Sequence, residues 1–212
     1  MKIQKLLLSI FILHSLNIFA QNDRAATTIL DKFSSTANSA PSVSMKFNMT
    51  TSDQTANSKD TVSGKIILSK DKYMLHLREN MIWFNGETIW SYLPVEKEVT
   101  ISKPDKKDNS FQNHPSAIFS MYKKGYKCRL IEEKSTSYII DLYPEDLKSD
   151  MVRVRITIGK EKSDLKSLEY KKKDGITMSL NVIVYDLGIK PGPDTFIFRP
   201  EKYKGVDVID IR

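Results

Sequence analysis

The sequence predicts a mainly β fold: an antiparallel sheet of about eleven strands, curling towards a barrel, with two apolar helices to cover it. Three observations carry this. Residues 43–50 alternate strictly, with Val43, Met45, Phe47 and Met49 on one side and Ser44, Lys46, Asn48 and Thr50 on the other, the pattern of a strand whose two faces meet different surroundings. Short strand candidates then follow in close order, divided by turn-forming pairs such as Asn85-Gly86. Apart from the 103–125 linker, no crossover segment of about a dozen residues separates neighbouring candidates, as parallel pairing would need. Sheets beyond about ten strands rarely stay flat, so a meander of this length is expected to curl.

The elements begin after a leader. "MKIQKLLLSIFILHSLNIFA" has Lys2 and Lys5 ahead of the apolar run Leu6–Leu13, then a stretch ending on Ala20. This is the layout of a secretory signal peptide, too short to span a membrane. Cleavage is expected after Ala20, leaving residues 21–212 as a single domain in the periplasm. Gln21 stands where a lipid-anchored bacterial protein carries cysteine, so an unanchored, soluble product is expected. "NDRAATTILDKFSSTAN" reads as a helix capped by Asn22 or Asp23, with Ala26, Ile29, Leu30 and Phe33 as its apolar stripe. After the 43–50 strand, "TSDQTANSKD" reads as a polar loop.

Strand candidates follow at "TVSGKIILS", "KYMLHLR", "MIWFN", "ETIWSYL" and "EVTIS". Asn85-Gly86 predicts a two-residue type I′ hairpin between the third and fourth of these. In "NHPSAIFSMYKKGY", Pro115 suits a first helical position, Ile118, Phe119, Met121 and Tyr122 supply apolar groups, and Gly125 suits a stop. The remaining strand candidates are "YKCRLIEE", "SYIIDLYP", "VRVRITI", "LKSLEYKKK" and "TMSLNVIVYDL". The two apolar helices are expected on the concave face or across its mouth.

The formal charge of +7 is mixed along the chain and reads as solubility; no nucleic-acid-binding signature accompanies it. The lone Cys128 has no internal disulfide partner, and export without disulfides suits the periplasm. His76 and His114 have no metal-ligand spacing around them, and no Walker loop, H-E-x-x-H or G-x-S-x-G motif occurs. Cys128 alternates with Tyr126 and Leu130 as a strand residue. No enzyme, cofactor or metal is expected. Met45, Met49, Met74, Met81 and Met121 fit either an ordinary core or a surface that takes variable apolar shapes.

Three stretches in order carry a resemblance: "GKIILSKDKYMLHL", "NGETIWSYLPVEKEVTIS" and the ending "FIFRPEKYKGVDVIDI". With Gly64, Tyr73, Asn85-Gly86, Trp90, Tyr92, Pro94, Phe196, Phe198, Pro200, Gly205, Val206 and Val208 at the matching positions, and "NHPSAIF" at the mid-chain helix, the chain resembles the LolA family of periplasmic lipoprotein carriers.

The resemblance implies an incomplete antiparallel β-barrel of about eleven strands under a helical lid, enclosing an apolar cavity for lipoprotein acyl chains. On that basis the cavity is expected from Met45, Phe47, Met49, Ile66, Leu68, Leu75, Met81 and Trp83, and the lid from Ile29, Leu30, Phe33, Ile118 and Phe119. The family's lid-latching arginine corresponds to Lys70, which keeps the charge and loses the planar fork. Implied partners are acylated lipoproteins or lipids, an inner-membrane ABC-type release complex and an outer-membrane acceptor, with the chain itself a monomer. A carrier of another lipid and a lipid-sensing regulator on the same fold remain as alternatives.

Overall fold

A computed structural model describes residues 23–105 and 113–212; the leader lies outside the described residues. Among the described residues, helix α1 (Arg24–Ser39) comes first. Twelve strands follow: β1 (Val43–Asp53), β2 (Ser58–Ser69), β3 (Lys72–His76), β4 (Met81–Phe84), β5 (Ile89–Leu93), β6 (Glu98–Ser102), β7 (Tyr126–Glu133), β8 (Ser137–Pro144), β9 (Met151–Gly159), β10 (Leu165–Lys172), β11 (Ile176–Asp186) and β12 (Asp207–Asp210). They form one open sheet in the order β12-β6-β5-β4-β3-β2-β1-β11-β10-β9-β8-β7. The fold is therefore the expected mainly β, unclosed barrel with a helical cover.

Two meanders, β1–β6 and β7–β11, are zipped together by the antiparallel pair β1·β11. This places β6 and β7, consecutive in sequence, towards opposite sides of the sheet. The described part of their connection, residues 113–125, carries buried Pro115, Ile118, Phe119 and Tyr122, as a segment packed against the sheet needs. It forms two 3-10 turns, Pro115–Phe119 and Met121–Lys123, rather than one α-helix. Gly125 ends the segment at φ +80°.

Three further local expectations are revised. The polar stretch after residue 50 is mostly strand: β1 runs to Asp53 and β2 starts at Ser58. Most residues of that hairpin tip are exposed, so apolar alternation vanishes although pairing continues. The twelfth strand, β12, pairs parallel with β6. All four of its residues are exposed, which leaves no burial pattern to read. Finally, Asn85-Gly86 lies in a four-residue connection. Only Gly86 has positive φ, +99°, while the Asn85 side chain accepts hydrogen bonds from the Glu87 and Thr88 amides.

Candidate functional site

The concave face of the sheet is apolar from β1 to β4 and across β8–β11, and gives way to Ser91, Thr100 and Ser102 on β5 and β6. Val43, Met45 and Phe47 of β1, Ile66 and Leu68 of β2, and Tyr73 and Leu75 of β3 are buried there. Ile140, Leu142, Val154, Ile156, Ile158 and Leu168 continue the surface through β8–β10. Met49 is partly buried against the same cluster. The alternation read from β1 thus points its apolar set inward, and the pairing Met45↔Ile66↔Leu75 carries that face across three strands.

The cover packs on this surface. Leu30 and Phe33 of α1 and Ile118 and Phe119 of the first 3-10 turn belong to the same cluster, with Ile29 at its margin. The Phe33 and Phe119 rings lie 5.3 Å apart at 47°, so helix and turn form one lid. Polar ties sit at its edges. The Tyr122 hydroxyl donates to Asp31 Oδ1 at 2.5 Å; burial, then this hydrogen bond, raises the phenol's pKa.

Asp23 caps α1 through Oδ1, which accepts from the Ala25 and Ala26 amides. Its Oδ2 accepts from the Leu130 amide at 3.0 Å, and its own amide donates to the Cys128 carbonyl. One aspartate therefore caps the helix and fastens it to strand β7. At the other end, the Ser69 hydroxyl donates to the Pro41 carbonyl. The Cys128 thiol is buried, and burial raises its pKa to about 11. It is a packing group, not a nucleophile at neutral pH.

Lys70 is exposed, in the two-residue turn between β2 and β3, at φ +54°. It lines a crevice of about 140 Å³ together with Ala37 and Ala40 at the helix C-terminal end and Phe119 of the turn. Its ammonium has no hydrogen-bond partner among the described residues. The Tyr185 hydroxyl is buried without a hydrogen-bond partner among the described residues, on β11 beside Met45. Burial raises its pKa.

Two expected cavity residues lie elsewhere. Met81 and Trp83 point to the convex side, where Trp83 packs with Tyr92, Val99 and Phe198. Ile82 and Phe84 take the inward positions on β4. The four apolar residues 81–84 offered no alternation to choose between. The deciding contacts are distant: Trp83 meets the Phe198 ring at 5.3 Å, and the Tyr92 and Tyr203 rings lie 4.7 Å apart. The two tryptophans and Tyr92 thus serve a second apolar cluster under the C-terminal segment. Sequence reading also missed the Tyr122–Asp31 bond, Asp23's bond to β7 and the buried Tyr185 hydroxyl; none has a local motif.

Among solved structures, an uncharacterized conserved protein from Thermus thermophilus superposes with a TM-score of 0.59 at 11% identity, covering 89% of this chain and 100% of that one. A LolA superfamily protein from Nitrosomonas europaea gives 0.43 at 13% identity, covering 83% and 98%. The Mycobacterium tuberculosis lipoprotein LppX gives 0.48 at 10% identity, covering 79% and 98%. No curated protein matches the sequence. The family described as outer membrane lipoprotein carrier protein LolA matches residues 16–175, most of the chain, and this protein belongs to it.

Proposed function

We propose that this chain is a periplasmic carrier that shields the acyl chains of lipoproteins on its concave face and moves them from the inner to the outer membrane. The observation that carries the reading is a broad apolar concave surface under a separate lid, in a chain of the LolA family. Each methylene withdrawn from water contributes about 0.8 kcal/mol, so a sheet interior of this kind suits long aliphatic chains. Leu30, Phe33, Ile118 and Phe119 pack directly on the concave surface, so on this reading the lid moves before cargo enters.

Met45, Phe47, Met49, Ile66, Leu68 and Leu75 line the loaded cavity, with Ile82 and Phe84 in place of Met81 and Trp83. Ile29, Leu30, Phe33, Ile118 and Phe119 form the moving cover. The helix turns about residues 40–42, where it joins β1, and its other end is released by breaking the Asp23 bonds to β7. Lys70, at the rim near the helix C-terminus, holds the closed lid by charge attraction to the terminal carbonyls. The buried Tyr185 hydroxyl offers a donor to an ester carbonyl of the cargo. Loading from an inner-membrane ABC-type release complex and delivery to an outer-membrane acceptor complete the cycle.

The test is binding of fluorescent acyl probes of increasing chain length. Affinity is expected to rise with length, and Met49→Glu, which puts a charge among apolar groups, is expected to weaken it at least about tenfold. A folded Met49→Glu protein with unchanged affinity would remove β1 from the site. Native mass spectrometry of protein purified from the periplasm should show co-purified lipid or lipoprotein mass.

A further inference from the structure

The convex face of the same sheet carries a feature that neither the lid nor the concave core uses. Lys46 of β1 pairs directly with Lys65 of β2, and Lys65 pairs with His76 of β3. Like charges placed opposite each other across strands are destabilising, so folding alone gives no reason for this row. With neighbouring strands about 4.8 Å apart, the three side chains span about 10 Å. Arg78, just beyond β3, adds another cation and donates to the Thr61 carbonyl. Lys46, Lys65 and Arg78 are exposed, and among the described residues none is paired with a carboxylate.

These groups surround a groove of about 370 Å³, also lined by Ser63, Gly64 and Ile183. Ile183 is the extra residue of a β-bulge: Lys46 opposes Val184 and Phe47 opposes Val182, leaving Ile183 unpaired between them. It is 64% exposed, and the neighbouring Val184 is 45% exposed. Bulges of this kind re-aim side chains at sheet surfaces. Burial and the Lys65 charge hold the His76 imidazole below its usual pKa, consistent with a positive field over the groove.

We infer that this groove binds the phosphate of an anionic phospholipid headgroup, so that the protein rests on a bilayer by its convex face. Three fixed cations match the charge of phosphate headgroups, and the exposed aliphatics Ile183 and Val184 beside them match the apolar layer just beneath. The groove lies on the face opposite the acyl cavity, so a docked molecule keeps its lid free. The inference does not depend on the cavity's cargo.

Sedimentation of the mature protein with vesicles tests this. Vesicles of phosphatidylcholine with phosphatidylglycerol should retain the protein, and pure phosphatidylcholine should not. Lys46→Gln with Lys65→Gln removes two exposed charges and should weaken retention about thirtyfold, with acyl-probe binding unchanged. Ile183→Ser should weaken it further. Met49→Glu, impaired in the cavity, should still be retained, which separates docking from lipid extraction. Equal retention on neutral vesicles, or full retention of the double variant, would overturn the inference. Tight binding of glycerol phosphate or of an acidic peptide at these lysines, without vesicle retention, would also overturn it by assigning the groove to a soluble anion or to a protein.

Discussion

Removing the Phe33 ring separates a movable lid from a fixed core. Phe33 is completely buried, and Phe47, in the same cluster, is 1% exposed. Truncating a buried phenylalanine to alanine ordinarily costs about 3–5 kcal/mol. Phe47 lies on the sheet, so Phe47→Ala should lose that amount in full. Phe33→Ala differs if α1 opens as a unit. A lid that is open about 0.1–10% of the time has a closing free energy of about 1–4 kcal/mol. Once that is exhausted, the variant sits with its lid open and loses nothing more, so the cost is capped at the closing free energy.

Urea unfolding of the two variants, with amide exchange over residues 24–39 and the strands, measures both quantities. Phe33→Ala should show the smaller loss, a lower m-value because less surface remains to be exposed, and nearly unprotected helix amides beside protected strands. Equal losses in both variants, with helix amides exchanging only by global unfolding, would mean a lid fixed by more than about 4 kcal/mol and would refute gating.

Two other substitutions test the frame around the site. Gly86→Val forces a β-branched residue to φ +99° and brings a Cβ within 2.8 Å of Asp71 Oδ2, at a cost of about 1–3 kcal/mol. Thermal unfolding should move down by several degrees with acyl-probe affinity retained; normal stability with binding lost would make this turn part of the site. Asp141 is 1% exposed and accepts two hydrogen bonds from Arg155. Desolvation pushes its pKa up but is outweighed by hydrogen bonds from Arg155 and Tyr143 and the charges of Arg153 and Arg155, so the net shift is downward. Its stabilisation is therefore present above the ordinary carboxylate range near about pH 3.9, and lost as pH falls through the lowered value. Asp141→Asn should cost about 1–3 kcal/mol at about pH 7, discounted because Arg155 is about one-third exposed. The deficit should shrink on acidification; a deficit constant down to about pH 2 would refute the charge argument.

How much of this was legible in the sequence follows from the range of each interaction. The 43–50 alternation correctly separated the inner face from the outer one, because burial on one side of a sheet imposes a period of two. The stripe of α1 was legible for the same reason, with Leu30 and Phe33 buried as a pair one turn apart. The 81–84 strand was not, since both its faces are covered and only residues far along the chain, Phe198 and Tyr203, show by what. The lid's polar ties were equally hidden: Tyr122 and Asp31 are 91 residues apart, and Asp23 and Leu130 are 107 apart. Asp23 reads locally as a helix cap, which it is; its second oxygen serves a strand that no neighbouring residue announces.

Under the proposed carrier function, the closed lid also sets a lower limit on the cargo. Opening costs about 1–4 kcal/mol under the gating argument, and association itself costs at least about 4 kcal/mol. At about 0.8 kcal/mol per buried methylene, roughly one to five methylenes offset the opening and about five more offset association. Chains burying fewer than roughly six methylenes should therefore gain nothing from this cavity. Longer chains should gain steeply until the apolar concave surface is filled. A partner that prises Asp23 from the edge of β7 removes the opening cost without touching the cargo. Under the proposed function, loading would then be eased by an event at the sheet's rim, and release would need only an acceptor that buries the same chains more completely.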